Sequence, residues 1–138
     1  HNLNLCACYG VVDVSSLGNV HTLNLSGCFQ VRDVSALGTV YELILCDCSV
    51  RDVSALGTVH TLNLSECSNV TDVGALGTVH TLDLSECNDV RDVSALGRVH
   101  TLNLSECSNV TDVSMLSGVY MLHIWLANVI HEQINPIA

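Results

Sequence analysis

Apolar residues recur along this chain at spacings of two and three positions, and not at the spacing of a helix. In residues 59–76 a Leu-x-Leu alternation is followed by one apolar residue at every third position. The apolar positions of this stretch are Val59, Leu62, Leu64, Cys67, Val70, Val73 and Leu76. The alternation predicts a short strand with one buried face. The spacing of three predicts an extended or 3₁₀ segment that turns one edge inward.

The same pattern restarts every 19 or 20 residues, so the chain is a tandem repeat. The restarts are at Val20, Val40, Val59, Val79, Val99 and Val119. We divide a single domain, 1–138, into repeats 1–19, 20–39, 40–58, 59–78, 79–98 and 99–118, with a degenerate repeat or cap at 119–138. One strand per repeat cannot bury its own face, so the repeats must stack. The predicted fold is an α/β-class, mostly β solenoid: a right-handed coil with one parallel sheet and short 3₁₀ or extended convex segments.

Two positions of the repeat predict how the chain returns to the sheet. An Asp begins each return, as in Asp52-Val-Ser, because its carboxylate can accept hydrogen bonds from backbone N–H groups two or three residues further on. A glycine follows in five repeats, and its conformational freedom predicts a tight turn into the next strand. These glycines are Gly18, Gly38, Gly57, Gly77 and Gly97.

The segment Val59-x-x-Leu62-x-Leu64-x-x-Cys67 resembles the conserved part of leucine-rich repeats, and it recurs along essentially the whole chain. The remainder of each unit resembles short, internalin-like, cysteine-containing repeats. The resemblance implies a buried Cys stacked between turns. It also implies a non-catalytic scaffold that binds a protein partner through the exposed sheet face.

The charge balance excludes several classes of partner. Fourteen acidic residues against four arginines give a formal net charge of −10. Nucleic acids and anionic membranes both need a basic surface, so neither is an expected partner. The most apolar stretch, Val119 to Ile130, is too short to span a bilayer, which takes about 20 residues. The chain begins at His1 without a leader, which we interpret as a processed chain or a fragment.

Six cysteines share one repeat position and predict a ladder. Disulfides or a metal site are one interpretation; buried thiols that fill the core are the other, and we favour it because identical side chains on stacked repeats point in parallel. The ladder is Cys8, Cys28, Cys48, Cys67, Cys87 and Cys107. Cys6 and Cys46 lie off the ladder and are expected to be solvent-exposed. Unpaired thiols favour a reducing, cytoplasmic compartment, and we expect no metal and no cofactor.

A second ladder contains histidines at the start of each strand. Its members are His1, His21, His60, His80 and His100, with Tyr41 and Tyr120 in the same register. Of these, His60, His80 and His100 are contiguous. A metal-binding array is conceivable. We favour a stacked aromatic ladder, because rings at equivalent positions of a parallel sheet stack on one another.

The exposed sheet face is predicted to carry columns of Thr, Asn and Ser, which can hydrogen-bond along the stack. The columns are interrupted in residues 42–46 and 121–125, and a partner is expected there. The candidate partner-binding residues are Glu42, Ile44, Cys46, Asn63, Asp83, Asn103, His123 and Trp125. Ser, His and Asp each stay in fixed columns, so no catalytic residues are predicted and the chain is not expected to be an enzyme.

The alternative hypothesis is structural. The terminal repeats lack a polar cap, which solenoids need for solubility, so copies could stack end to end into filaments or another homo-oligomer. The candidate end-to-end residues are Leu3, Leu5, Val11, Ile124, Leu126, Ile130 and Ile134.

Overall fold

The computed structural model describes residues 1–125, which form a coil of stacked repeats. Each repeat gives one three-residue strand to a seven-stranded parallel sheet whose strands follow chain order. The strands are β1 (Asn2–Asn4), β2 (Thr22–Asn24), β3 (Glu42–Ile44), β4 (Thr61–Asn63), β5 (Thr81–Asp83), β6 (Thr101–Asn103) and β7 (Met121–His123). Neighbouring strands pair at equivalent repeat positions, as Leu62 does with Leu82. The predicted mostly β solenoid is confirmed.

The convex side of the coil carries short 3₁₀ turns where the three-residue apolar spacing predicts them. These turns are Ser35–Leu37, Ser54–Leu56, Gly74–Leu76, Ser94–Leu96 and Ser114–Leu116. Residues 1–125 contain no α-helix. In that same part of the chain, no helix has the length and apolar character required to cross a membrane.

The aspartate at each return caps the turn that follows it, as predicted. In six repeats its Oδ1 accepts a hydrogen bond from the backbone N–H two residues further on, at 2.9–3.0 Å. Asp52 also accepts a bond from the Ser54 hydroxyl at 2.6 Å. These bonds favour the carboxylate, so the pKa of Asp52 lies below its ordinary value. The repeated Asp therefore stabilises the coil on its convex side.

The core is a column of aliphatic side chains and thiols that runs along the coil. In repeats 59–78 and 79–98 each of the seven inward side chains is at most 1% exposed. Burying one such leucine contributes about 2 kcal/mol. In the first repeat, Leu3, Leu5 and Val11 pack against the core but are only partly buried. The core is thus complete only where a repeat has a neighbour on both sides.

The repeated glycine has a different role from the one predicted. Gly38 and Gly57 have φ of −63°, which is ordinary right-handed backbone, so no left-handed turn requires them. A Cβ at Gly18 would lie 2.5 Å from the carbonyl oxygen of Ala36 in the next repeat, and Gly38, Gly57, Gly77 and Gly97 make equivalent approaches. Close packing between repeats therefore explains the glycine.

Left-handed backbone occurs instead three residues after the end of each strand from β1 to β6. Gly27 lies there in the second repeat, and the non-glycine residues with positive φ are Ala7, Asp47, Glu66, Glu86 and Glu106, at 54–61°. The chain turns away from the sheet at this position in each repeat.

Candidate functional site

The candidate site is the exposed face of the sheet, where polar side chains alternate with buried leucines. The Asn and Asp side chains of this face mainly serve the fold. The Asn63 Oδ1 accepts bonds from the backbone N–H and the hydroxyl of Ser65, at 2.8 and 2.7 Å. Asp83 accepts the equivalent bonds from Ser85 at 2.9 and 2.6 Å, and Asn103 accepts one from a backbone N–H at 3.0 Å. Only their remaining polar atoms are available to a partner.

These hydrogen bonds join residues two positions apart in the same repeat. We predicted hydrogen bonds between equivalent residues of neighbouring repeats. The local motif explains the difference: Asn and Asp readily accept a bond from the backbone N–H two residues further on. The Asn-x-Ser and Asp-x-Ser spacing in the sequence is the signal that could have revealed it.

Strand β3 interrupts the polar columns at the middle of the sheet. The Glu42 Oε2 accepts a bond from the Thr22 hydroxyl at 3.5 Å. Ile44 is half-buried and pairs on either side with Asn24 and Asn63. Strand β3 therefore places one apolar side chain within a row of amides.

Cys46 differs from its prediction. Cys6 is solvent-exposed as expected, but Cys46 is half-buried. Its Sγ lies 3.7 Å from the Glu66 Oε1, and burial raises the pKa of the thiol. A neutral thiol next to a carboxylate is a poor nucleophile. On the exposed sheet face, Cys46 is therefore a small, weakly polar contact residue.

A second interruption includes β7 and Trp125, at the last strand of the described sheet. Met121 is 46% exposed and Trp125 is 71% exposed, while His123 is exposed between them. Strands β3 and β7 are four strand spacings apart, which is about 19 Å. The structure therefore gives two patches, β3 and β7, at the ends of one row of candidate partner-binding residues. Strand pairing places the members of this row next to one another: Ile44, Asn63, Asp83, Asn103 and His123.

Five of the six ladder cysteines are buried in the core, and Cys8 of the first repeat is half-buried. The Sγ of Cys67 donates to the carbonyl oxygen of Leu45 in the preceding repeat at 3.0 Å, and Cys87 donates to Leu64 in the same way. All eight cysteines are unpaired. Burial raises the pKa of Cys67 to about 12 and that of Cys107 to about 11. Cys67 and Cys107 therefore stay neutral at physiological pH, fill the core as small apolar side chains and are poor nucleophiles.

The histidine ladder is a continuous aromatic stack. The ring centroids of His60 and His80 are 4.6 Å apart and those of His80 and His100 are 4.5 Å apart, with interplanar angles of 10° and 11°. Tyr41 and then His21 extend the stack at one end, and Tyr120 extends it at the other. Parallel rings direct their nitrogen lone pairs side by side, so they do not converge on one ion. Among residues 1–125, no group of three His, Cys, Asp or Glu side chains could hold a metal.

Comparison with solved structures identifies the architecture. An internalin, InlF, from Listeria monocytogenes aligns with a TM-score of 0.66 and 23% identity over 84% of this chain. Internalin C2 from the same organism aligns with a TM-score of 0.64 and 21% identity over 90%. The chain has the leucine-rich-repeat fold of the internalins. It spans 39% of the length of the first structure and 60% of the second.

The functional domain of InlJ from Listeria monocytogenes, which includes a cysteine ladder, aligns at a TM-score of 0.41 with 18% identity. No protein-family model matches this sequence. No curated protein matches it either.

The candidate end-to-end residues of this leucine-rich-repeat coil lie at its two terminal repeats. Leu3, Leu5 and Val11 are partly buried against the core at one end, and Ile124 is partly buried at the other. Leu126, Ile130 and Ile134 lie outside the described residues.

Proposed function

We propose that this chain is a non-catalytic scaffold that binds a protein partner through the exposed face of its sheet. The fold supports this, because leucine-rich repeats present a broad, preformed surface that contributes little ordering cost on binding. The observation that carries the proposal is the break in the columns at β3. Every other described interior strand, β2 and β4–β6, has Asn or Asp where β3 has Ile44.

An apolar side chain at this position has no role in the core. The core side of β3 is already filled by Leu43 and Leu45, which are 0% exposed. The Asn and Asp of neighbouring strands cap their own turns, whereas Ile44 gives up that bond. A half-buried isoleucine surrounded by polar groups is a suitable anchor for a partner, since binding removes its remaining surface from water.

The β7 patch offers a second anchor of a different kind. Trp125 is the one tryptophan of the chain and is 71% exposed. Tryptophan is enriched among residues that dominate binding energy, because it buries a large area at low entropic cost.

The test compares the unmodified chain with three variants. For each protein, the amount of partner protein recovered after chemical cross-linking is measured. Ile44→Asp places a charge in the β3 patch, and Trp125→Ala removes the β7 anchor. Arg51→Thr is the control: it lies on the convex side, changes the net charge by the same amount as Ile44→Asp, and introduces the residue already present at Thr71 and Thr111. Circular dichroism should show the same thermal midpoint for all four proteins.

We expect Ile44→Asp or Trp125→Ala to reduce recovery of a specific partner by about tenfold or more, which corresponds to about 1.4 kcal/mol. Arg51→Thr should recover it as the unmodified chain does. Equal recovery by all four proteins would show that the sheet face is not the binding surface.

A further inference from the structure

Repeat 40–58 is one residue shorter than its neighbours, and the missing residue falls in the loop that follows its ladder cysteine. In repeat 59–78 two residues, Ser68 and Asn69, separate the ladder cysteine from the next buried valine, and they form a turn. In repeat 40–58 only Ser49 separates the same two positions, and no such turn is formed there. The loop of repeat 40–58 therefore takes a shorter path than the loops of the repeats on either side of it.

The shorter path leaves a notch in this edge of the coil. Ser49 is half-buried, whereas Ser68 and Ser108 at the equivalent position are exposed. Cys48, just before Ser49, is 5% exposed, while the four other buried ladder cysteines are 0% exposed. In residues 1–125 the Ser49 hydroxyl has no hydrogen-bond partner, and no side-chain oxygen without a partner is buried there, so solvent reaches this hydroxyl. The notch thus has a polar atom at its floor.

One wall of the notch is an aromatic ring. Phe29 has the position of Ser49 in the preceding repeat, and Tyr9 has it one repeat earlier. The rings of Tyr9 and Phe29 stack with centroids 5.7 Å apart and an interplanar angle of 2°. Within residues 1–125, no second ring stacks on the other face of Phe29. The Gln30 side chain extends back toward the first repeat, where its Nε2 donates to the Tyr9 carbonyl at 3.0 Å. The stack of two rings therefore ends at the notch.

The notch has room for one more ring in this stack. Neighbouring strands are about 4.8 Å apart, so the loops that begin with Phe29 and Ser68, two repeats apart, are separated by roughly 10 Å. Stacked aromatic rings have centroids about 4.5–7 Å apart. A ring at the level of Ser49 therefore fits between these two loops. The aromatic ladder has this spacing across the next pair of repeats, where Tyr41 and His60 are 4.5 Å apart.

The charges next to the notch favour a neutral occupant. Asp47 and Arg51 are exposed and lie two residues before and two residues after Ser49. Because their charges are opposite, they partly cancel, and neither a cation nor an anion gains a net attraction. A neutral ring with one hydrogen-bond donor can pack its face on Phe29 and direct its donor to the Ser49 hydroxyl. Tyrosine and tryptophan are the side chains with this combination.

The notch also adjoins the β3 patch. Ile44 is exposed on the sheet side of repeat 40–58, the chain turns away from the sheet at Asp47 with φ of 54°, and Ser49 follows two residues later. The break in the polar columns and the shortened loop are irregularities of different kinds, yet both fall in this one repeat. A partner that covers the β3 patch is thus in position to reach the notch.

We propose that the notch next to Phe29 and Ser49 binds a tyrosine or tryptophan side chain of the protein partner. The inference rests on the proposed function for its partner and adds the chemistry of one contact. The bound ring extends the stack of Tyr9 and Phe29 by one layer, and its O–H or N–H group donates to the Ser49 hydroxyl oxygen.

The experiment uses N-acetyl-tryptophanamide, a neutral probe that carries the side chain without a partner protein. It is titrated into the ¹⁵N-labelled full chain, and the NMR shift of the Ser49 backbone amide is followed. Insertion of one Asn between Ser49 and Val50 gives the loop of repeat 59–78 and fills the notch. Phe29→Ser keeps the notch and removes its wall, with the residue already present at Ser68. Trp125→Ala, which removes an exposed ring elsewhere, is the control.

We expect a saturable shift of the Ser49 amide, with a Kd in the millimolar range, in the unmodified chain and in Trp125→Ala. The insertion should abolish this shift. Phe29→Ser should weaken binding by about fivefold, the contribution of one stacked aromatic pair. An equal shift in the insertion variant, or equal affinity in Phe29→Ser, would overturn the proposal. Tighter binding of the cationic probe N-acetyl-argininamide at Ser49 would overturn the assignment of a neutral ring.

Thermal midpoints by circular dichroism show whether the variants fold as the unmodified chain does. If the insertion lowers the midpoint, Phe29→Ser decides the outcome, because it leaves the loop length unchanged.

Cross-linking to the partner separates this inference from the proposed function. The insertion variant should recover less of the partner than the unmodified chain. If Ile44→Asp loses the partner and the insertion variant retains it, the sheet face binds the partner and the notch does not. If the insertion variant loses the partner and Ile44→Asp retains it, the notch is a binding site and the sheet face is not.

Discussion

At the scale of single residues, burial divides the eight thiols of this chain into reactive and protected groups. Cys6 is exposed, whereas Cys67 and Cys107 are 0% exposed and donate to backbone carbonyls. Because burial raises the pKa of Cys67 to about 12, its reactive thiolate form is rare at neutral pH as well as inaccessible. The same residue type thus has different chemistry at exposed and buried positions of the repeat.

We predict that iodoacetamide at about pH 8 modifies Cys6 in the folded protein and leaves Cys67, Cys87 and Cys107 unmodified. Peptide mass spectrometry after timed alkylation measures this. Alkylation in denaturant is the control and should label all of these positions. Labelling of Cys67 in the native state at a rate close to that of Cys6 would contradict the buried ladder.

At the scale of elements, the Asp-capped turn makes the coil sensitive to acid. Hydrogen bonds from the serine side chain and backbone two residues further on hold the pKa below its ordinary value at five positions, Asp13, Asp33, Asp52, Asp92 and Asp112. The unfolded chain, with an ordinary Asp pKa of about 3.9, then binds more protons than the folded chain in this range. The associated stability is present above that value and is lost as the pH falls through the lower, folded pKa values.

We therefore predict that the thermal midpoint falls as the pH is lowered from about 5 to about 2.5. Asn at these five positions keeps an oxygen that can accept the backbone bond but does not titrate. The variant with Asn at all five positions should accordingly show a smaller fall of the thermal midpoint over the same pH range. Equal losses in the two proteins would mean that other carboxylates cause the acid sensitivity.

At the scale of the whole molecule, stacking of repeats turns one side chain per repeat into a column of identical groups along the coil. In the histidine ladder this places three imidazoles at centroid separations of 4.5–4.6 Å. Each Nδ1 lies 3.1–3.2 Å from the hydroxyl of the following threonine. The stacked rings add contacts between successive repeats outside the buried core.

We predict that replacing His60, His80 and His100 with Tyr preserves the thermal midpoint, because tyrosine already fits the ladder: Tyr41 stacks on His60 at 4.5 Å. Replacing the same three residues with Ala should lower the midpoint, because it removes the stacked rings. Circular dichroism measures both midpoints. An Ala variant that melts with the unmodified chain would contradict the prediction.

The sequence by itself determined the fold and its ladders. A period of 19 or 20 residues places equivalent residues on top of one another, so Leu62 above Leu43, the buried thiols and the aromatic stack all follow from spacing alone. The candidate positions on β3 could also be found from the sequence, because Glu42 and Ile44 break an otherwise regular repeat.

Tertiary structure decided how closely the repeats approach and where each polar atom is directed. Spacing could not show that Gly57 is required by the carbonyl of the next repeat, or that Cys46 is half-buried next to Glu66. The physical reason is that a repeat fixes which residues are neighbours, whereas the distances and hydrogen bonds between them depend on the backbone of the adjacent repeat.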